Sequence, residues 1–187
     1  INCPCSSSNI GSAAVISATG VTAEIRHFTI NNTGGSNAAS FGVYTNGVVD
    51  GSFSMLHVTA TATGSTNSYG VFNSSSSPTM NNVTATATGG SNLNYGVFNL
   101  DSSSPTMTNV TATATGGIFS YGVYNSSSSP TIRNSSITGS TNSIFNSNTS
   151  SAQVADTVLD GTVVAGNGLT CVGAYDETFS ALSSQCD

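Results

Sequence analysis

The chain contains no lysine and no tryptophan, and its two arginines and eight acidic residues leave only 5% of its 187 positions charged, with a net charge of −6. Nucleic-acid binding needs clustered Lys and Arg to neutralise phosphates, so the composition argues against it. It also argues against a basic helix lying on a membrane surface. The shortage of Leu, Glu and Gln, with many β-branched and turn-forming residues, argues against a helical bundle.

Long apolar runs are also missing. No stretch approaches the roughly 18 apolar residues of a membrane-spanning helix, so we expect no membrane insertion. The sequence shows no signal peptide and begins with Ile1 rather than Met, which favours a mature secreted protein. Four cysteines fit an oxidising compartment. We therefore predict one domain that is secreted or displayed on a cell surface.

Ser, Thr, Asn and Gly together make up just over half of the chain. Such sequences are often disordered, but here apolar residues recur at fixed places. A Tyr/Phe-Gly-Val motif begins at Phe41, Tyr69, Tyr95 and Tyr121, with spacings of 28, 26 and 26 residues. A period of about 20–50 residues indicates a solenoid, a propeller or a repeat array.

The period selects one of these architectures. A four-stranded propeller blade needs about 40–50 residues, whereas about 26 suit one coil of a parallel β-helix with three short strands. We predict an all-β, right-handed parallel β-helix (β-solenoid) of about six to seven coils, stacked about 4.8 Å apart. Its expected parts are an N-terminal cap or extension (1–20), the solenoid repeats (21–165) and a C-terminal cap (166–187).

Equivalent positions of successive coils form columns with distinct chemistry. One column is apolar and is predicted to be core: Ile25, Met55, Met80, Met107 and Ile132. Two residues later follows a polar column, which we expect to be a ladder of side-chain amides bonded from coil to coil: His27, His57, Asn82, Asn109 and Asn134.

The Tyr-Gly-Val-Phe-Asn strand predicts two further columns. One is an aromatic stack of Tyr44, Phe72, Phe98, Tyr124 and Phe145, and the other is an asparagine ladder of Asn73, Asn99, Asn125 and Asn146. Such ladders satisfy buried polar groups and fix the register. Both alternations of this strand are apolar, so the pattern leaves open which face is buried.

The segment Ser-Pro-Thr-Ile-Arg-Asn at 129–134 resembles the strand motif of right-handed parallel β-helix repeat proteins of the pectate-lyase-like type. The resemblance extends over residues 20–165 as a repeat pattern. It implies architecture and no particular activity, because this fold carries lyases, hydrolases, adhesins and phage spikes.

The cysteines lie near the two ends of the chain, Cys3 and Cys5 at one and Cys171 and Cys186 at the other. Disulfide geometry requires Cα atoms within about 7 Å, so a straight solenoid forbids a bridge between its own ends. A Cys171–Cys186 bond inside the C-terminal cap is the favoured pairing, whereas a Cys3–Cys5 bond would close a small strained ring. A bond from Cys3 or Cys5 to the C-terminal end of a neighbouring copy is the alternative, and it would link solenoids head to tail.

The sequence indicates no active site. Polysaccharide-cleaving enzymes of this fold need clustered carboxylates or an acidic calcium site, and no column of this chain collects acids. His27 and His57 occupy adjacent coils and form a possible metal pair, but replacement of Asn in the polar column explains them better. We therefore predict no catalytic residue, no cofactor and no metal site.

Strict alternation in the strand Val58 to Thr63 and its copies predicts Val and Ala inside and Thr outside. The outward residues form three rows of three: Thr59, Thr61, Thr63, Thr84, Thr86, Thr88, Thr111, Thr113 and Thr115. Thr29, Thr33 and Thr138 extend the array. A flat grid of hydroxyls and methyls resembles the surface of β-solenoid ice-binding proteins, although Thr is also simply a good strand former.

These features predict a non-enzymatic secreted structural protein, with subunits that stack head to tail as a homopolymer into an extracellular filament or surface fibre. The alternative is an ice-binding protein or a carbohydrate-binding adhesin that uses the Thr array. A polysaccharide lyase or hydrolase ranks third. Neither a nucleic acid nor a membrane is an expected partner.

Overall fold

The structure is a computed structural model that describes residues 22–34, 39–48, 52–163 and 168–187, together with the backbone of residues 2–3 and 12–17. The strands in these residues are β1 (Asn2–Cys3), β2 (Ser12–Ser17), β3 (Ala23–Arg26), β4 (Thr29–Asn32), β5 (Ala39–Asn46), β6 (Phe53–Thr63), β7 (Asn67–Ser74), β8 (Thr79–Thr88), β9 (Leu93–Leu100), β10 (Thr106–Thr108), β11 (Thr111–Thr115), β12 (Phe119–Ser126), β13 (Thr131–Arg133), β14 (Ser136–Gly139), β15 (Asn142–Ser147), β16 (Ala152–Ala155), β17 (Val158–Asp160), β18 (Leu169–Val172) and β19 (Tyr175–Asp176).

The chain winds as a parallel β-solenoid with turns about 26 residues apart, which confirms the predicted architecture. Within the described residues the strands form a thirteen-stranded sheet and a six-stranded sheet. We call the six-stranded sheet of β2, β5, β7, β9, β12 and β15 the aromatic sheet. No helix in the described residues has both the length and the apolarity needed to cross a membrane.

The described residues form about five turns, slightly fewer than the six to seven coils expected. The columns continue beyond the regular turns in shorter register steps, from Ile132 to Val154 and from Val154 to Cys171. The last steps therefore add strands to the thirteen-stranded sheet without adding turns of regular length. The limits predicted for the caps and the repeats remain predictions.

The thirteen-stranded sheet bends once in each turn. The bend residue has a left-handed φ in His27, His57, Asn82, Asn109, Asn134 and Asp156, with values between 47° and 54°. Residues before the bend form the first arm (β3, β10, β13, β16, β18 and the first parts of β6 and β8). Residues after it form the second arm (β4, β11, β14, β17, β19 and the remaining parts of β6 and β8).

The polar bend column is therefore not the amide ladder that we expected. Its residues are exposed, and Asn82, Asn109 and Asn134 make no side-chain hydrogen bond within the described chain. Asn tolerates the left-handed region better than most residues, because its short polar side chain interacts locally. His27 and His57 stack with ring centroids 4.9 Å apart. The column repeats because the backbone bends there.

The core contains the apolar column of the first arm together with valines and alanines. Met55, Met80, Met107 and Ile132 are at most 1% exposed, and each aligns with the next in the ladder. Ile25, at the N-terminal end of the column, is half-buried and packs against this core. The predicted core column is confirmed.

The C-terminal tail pairs with the last strands of the thirteen-stranded sheet, β18 and β19. A disulfide joins Cys171 to Cys186, with Cα atoms 5.3 Å apart, which confirms the favoured pairing. The Cys171 amide donates to Ser184 O at 2.9 Å, and the Leu182 amide donates to Ala174 O at 2.9 Å. The tail therefore uses backbone groups of the terminal strands that a stacked neighbour would otherwise pair with.

Candidate functional site: the threonine face

The nine predicted threonines form three columns on the outer face of the second arm, which we call the threonine face. The register aligns Thr59 with Thr84 and Thr111, Thr61 with Thr86 and Thr113, and Thr63 with Thr88 and Thr115. Parallel strands lie about 4.8 Å apart, and alternate residues of one strand about 7 Å apart. The columns therefore form a regular two-dimensional grid.

Burial confirms the predicted direction of the side chains. Val83, Ala85 and Ala87 are at most 1% exposed, whereas the intervening threonines are half-buried. Thr111 and Thr115 in the next turn are exposed. Period-two alternation separates the faces because successive side chains of a strand point to opposite sides.

The grid is backed by an unusually close approach of two sheets. A Cβ placed on Gly70 of the aromatic sheet would lie 2.7 Å from the Thr86 amide nitrogen and 2.9 Å from the Ala85 carbonyl carbon. The space between the sheets therefore accepts glycine on one side and alanine on the other. Because backbone rests almost directly on backbone, the threonine face has little freedom to buckle.

The hydroxyl groups of this face are largely unused by the protein. The Thr63 hydroxyl donates to Asn32 O at 3.4 Å. The other eight make no side-chain hydrogen bond with the described part of the chain. Each hydroxyl can donate once and accept twice, so the face presents a dense array of groups that can bind water or a ligand.

The ends of the grid follow the same register. Thr29 continues the first column and Thr138 the second, whereas Thr33 appears in no strand pair. The second column ends at Asp160, whose carboxylate accepts a hydrogen bond from the Thr138 hydroxyl at 3.3 Å. The nine central positions carry no charge, and Asp160 marks one border of the uncharged area.

The aromatic sheet carries two columns of rings on its outer face. The predicted stack is confirmed, with ring centroids 5.0–5.3 Å apart between neighbours from Tyr44 to Phe145. A second column contains Phe41, Tyr69, Tyr95 and Tyr121, which sequence analysis did not assign. The open question of the buried face is settled: Val71 and Val97 are fully buried, whereas the rings lie on the opposite face, where Phe72 and Phe98 are half-buried and Phe41 and Tyr95 are covered by their neighbours.

The rings of these columns contact one another rather than presenting free faces. Most neighbours in a column are nearly parallel, with interplanar angles of 14–22° for Tyr69–Tyr95, Phe72–Phe98 and Tyr95–Tyr121. Burial raises the pKa of Tyr69, Tyr95 and Tyr121, and neighbouring tyrosines raise that of Tyr95 further. Rings stacked in this way leave mainly edges for a sugar, so we do not place a carbohydrate site here.

The second asparagine column is confirmed as a buried ladder. Asn73 donates to Asn99 at 2.9 Å, Asn99 to Asn125 at 2.8 Å, and Asn125 to Asn146 at 2.8 Å. Thr45 begins the ladder by donating its hydroxyl to Asn73 at 2.7 Å. This column stabilises the turns and offers no group to a ligand.

The acidic residues do not meet at one place. Glu24 pairs with Arg26, and Asp160 with Thr138. Asp176 accepts hydrogen bonds from Ser180 and Thr178, and these bonds hold the pKa of its carboxyl below the usual value. Among the described residues no three His, Cys, Asp or Glu side chains are grouped to hold a metal ion. Asp50, Cys5 and the Cys3 side chain lie outside the described residues, so the predicted roles of these two cysteines stay predictions.

A cavity that the sequence does not predict lies on the first arm. It has a volume of ≈160 Å³ and lies beside Arg133, between the strands β13, β16 and β18. The sequence shows only that Arg133 follows Thr131 at the spacing at which Arg26 follows the acid Glu24, and this difference does not predict a cavity.

No family model, no curated protein and no solved structure matches this chain.

Proposed function

We propose that this protein is a binding module that uses the threonine face to bind a surface with its own two-dimensional repeat, and that this surface is ice. The observation that carries the proposal is the register of the nine threonines, which repeats in two directions without a charge. Hydroxyls order water in a fixed pattern, and the methyl groups beside them favour its partial exclusion.

The stiffness of the face supports the same function. A surface that must match a crystal loses affinity for every group that it has to order on binding. Close contact of Gly70 with the Thr86 and Ala85 backbone holds the grid before any ligand arrives. The preorganised grid therefore binds without a large entropic cost.

The structure of the C-terminal end argues against the head-to-tail filament that the sequence suggested. The last strands of the thirteen-stranded sheet already pair with the tail, and Cys171 is bonded to Cys186 and has no free thiol for a neighbouring copy. The head-to-tail filament therefore remains a prediction, and we rank it below ice binding. Negative-stain electron microscopy tests it, because a filament-forming protein gives rods much longer than one solenoid.

Ice binding is tested by thermal hysteresis and by inhibition of ice recrystallisation. We expect activity in the parent protein and its loss in Thr86→Lys, because an ammonium at the centre of the grid disrupts the array. The matched control is Thr106→Lys, which places the same side chain at an exposed position of the first arm. A parent protein without activity would rule out ice as the ligand, and equal losses in both variants would rule out the threonine face as the binding site.

A carbohydrate is the second candidate ligand of the same face, since the free hydroxyls suit sugar hydroxyls as well as water. A glycan array with the parent and Thr86→Lys separates the two, because a sugar ligand gives binding without thermal hysteresis. The proposal places the protein outside the cell, supported by the disulfide. It includes no catalysis, and a turnover screen on acidic glycans tests that part.

A further inference from the structure

The chain has two arginines and no lysine. Both arginines lie in one outward column of the first arm. This column runs Arg26, Leu56, Asn81, Thr108, Arg133, Ala155 and Val172. The neighbouring outward column runs Glu24, Ser54, Thr79, Thr106, Thr131, Gln153 and Thr170. The two arginines therefore occupy equivalent places, and their surroundings can be compared directly.

Arg26 has a built-in carboxylate partner. Its guanidinium donates from Nε to Glu24 Oε1 and forms an ion pair with the same oxygen through Nη2. Glu24 lies two residues earlier on the same strand and the same face. The pair of Arg26 and Glu24 thus shows that an arginine at this position of the fold binds a carboxylate.

Arg133 lacks that partner. The residue two positions earlier is Thr131, and the Arg133 guanidinium forms no ion pair or hydrogen bond with any described residue. Asp156, the nearest acid along the column of bend residues, forms no ion pair with it either. An unpaired guanidinium, always charged and with five donors, is a preferred site for a carboxylate.

The cavity beside Arg133 gives such a ligand a place. Ala155 follows Arg133 in the column, and its short side chain leaves a gap before Val172, which is 70% exposed. Thr131, Gln153 and Thr170 line the other side. The cavity of ≈160 Å³ is well below the roughly 300–1,000 Å³ of sites for drug-sized molecules, so it suits a small ligand.

We propose that this cavity binds a small monocarboxylate with a short aliphatic group, free or at the end of a chain. The carboxylate takes the place beside Arg133 that Glu24 takes beside Arg26, and the aliphatic group packs on Ala155 and Val172. Arg133 supplies one positive charge, which suits a ligand with one carboxylate. The protein as a whole has a net charge of −6, so it repels polyanions. The site lies on the first arm and does not depend on the threonine face.

The first experiment follows backbone amide shifts by nuclear magnetic resonance during titration with butyrate, with butyramide as the uncharged control. We expect saturable shifts near Arg133, Ala155 and Val172 with butyrate and none with butyramide. Arg133→Gln should weaken binding by about tenfold or more, because a charge-assisted bond is lost. Arg26→Gln is the matched control and should leave the affinity unchanged.

The second experiment rebuilds the N-terminal arrangement at the C-terminal site. Thr131→Glu places an acid two residues before Arg133, as Glu24 precedes Arg26, and should abolish butyrate binding while Arg133 remains. Thr131→Gln adds nearly the same volume without the charge and should retain binding. Equal losses in both variants, or shifts that persist in Arg133→Gln, would overturn the proposal.

Two further ligands identify the source of the carboxylate. A short peptide that ends in alanine with a free terminus, compared with its amidated form, tests the end of a chain. Binding of the free peptide but not the amide extends the site to peptide termini, whereas binding of butyrate alone restricts it to free acids. Tighter binding of glucuronate than of butyrate would contradict the aliphatic part of the assignment.

Discussion

The two outer faces that back onto the same narrow core use their side chains in opposite ways. On the aromatic sheet, Phe98 contacts the rings of Tyr69, Phe72, Tyr95 and Tyr124, with centroids 4.9–5.9 Å apart. On the threonine face, eight of the nine hydroxyls have no partner within the described chain. One face therefore stabilises the solenoid through contacts among its own residues, and the other keeps its polar groups available for a ligand.

The largest effect is expected where both faces depend on one residue. A Cβ on Gly96 would lie 2.6 Å from Gly122 O and 2.9 Å from the Thr113 amide nitrogen, which are backbone atoms that cannot rotate away. We expect Gly96→Val to lower the free energy of unfolding by about 3 kcal/mol or more, the upper range for overpacked cores. Urea denaturation followed by circular dichroism measures it, and a loss below about 1 kcal/mol would show that the sheets can separate.

The next effect is expected on the aromatic sheet alone. Phe98→Ala removes a half-buried ring with four aromatic neighbours, so we expect a loss of about 2–3 kcal/mol, below the range for fully buried rings. Phe119→Ala is the matched control, because its ring is 44% exposed and its nearest ring is that of Tyr121 at 6.3 Å. The same urea denaturation measures both variants, and equal losses would contradict the stabilising role of the stack.

Alkaline pH should weaken the aromatic sheet selectively. Burial raises the pKa of Tyr69, Tyr95 and Tyr121 in the folded protein, whereas an unfolded tyrosine ionises near pH 10. The stabilisation is therefore complete below about pH 10 and falls as pH rises further, because the unfolded chain loses protons first. Urea midpoints measured across this range should fall, and Tyr95→Phe should make the fall shallower.

The smallest effect is expected on the threonine face. Thr113→Val keeps the shape of the side chain and removes a hydroxyl without a partner in the described chain, so the free energy of unfolding should change by less than about 0.5 kcal/mol. The same variant should reduce thermal hysteresis. A stability loss above about 1 kcal/mol would show that the hydroxyl serves the fold rather than a ligand.

Two asparagine columns show how far sequence reasoning reaches. Both repeat at the same period, and both were expected to be amide ladders. The column of Asn99 is one, whereas Asn109 is exposed with a left-handed φ of 53°. The repeat reveals that a column exists, but burial and backbone conformation decide its role, and both depend on the neighbouring strands.

The candidate sites differ in the same respect. Alternation within one strand was enough to place Thr86 outside and Ala85 inside, because successive side chains of a strand point to opposite faces. The cavity at Arg133 was not predictable, since it depends on Ala155 and Val172 in β16 and β18, the next two strands of the column. The sequence predicted a C-terminal cap at 166–187 but not how it pairs with the terminal strands, because the pairing is made by backbone groups of Ser184 and Leu182.

The sequence by itself determined the solenoid, its period, the alignment of like residues and the outward direction of the threonines, because these follow from the repeat and from the geometry of single strands. Only the tertiary structure decided which asparagines are buried, which face of the aromatic strand turns outward, and how closely the two sheets approach. Those outcomes depend on what lies opposite each side chain, and a local pattern does not contain that information.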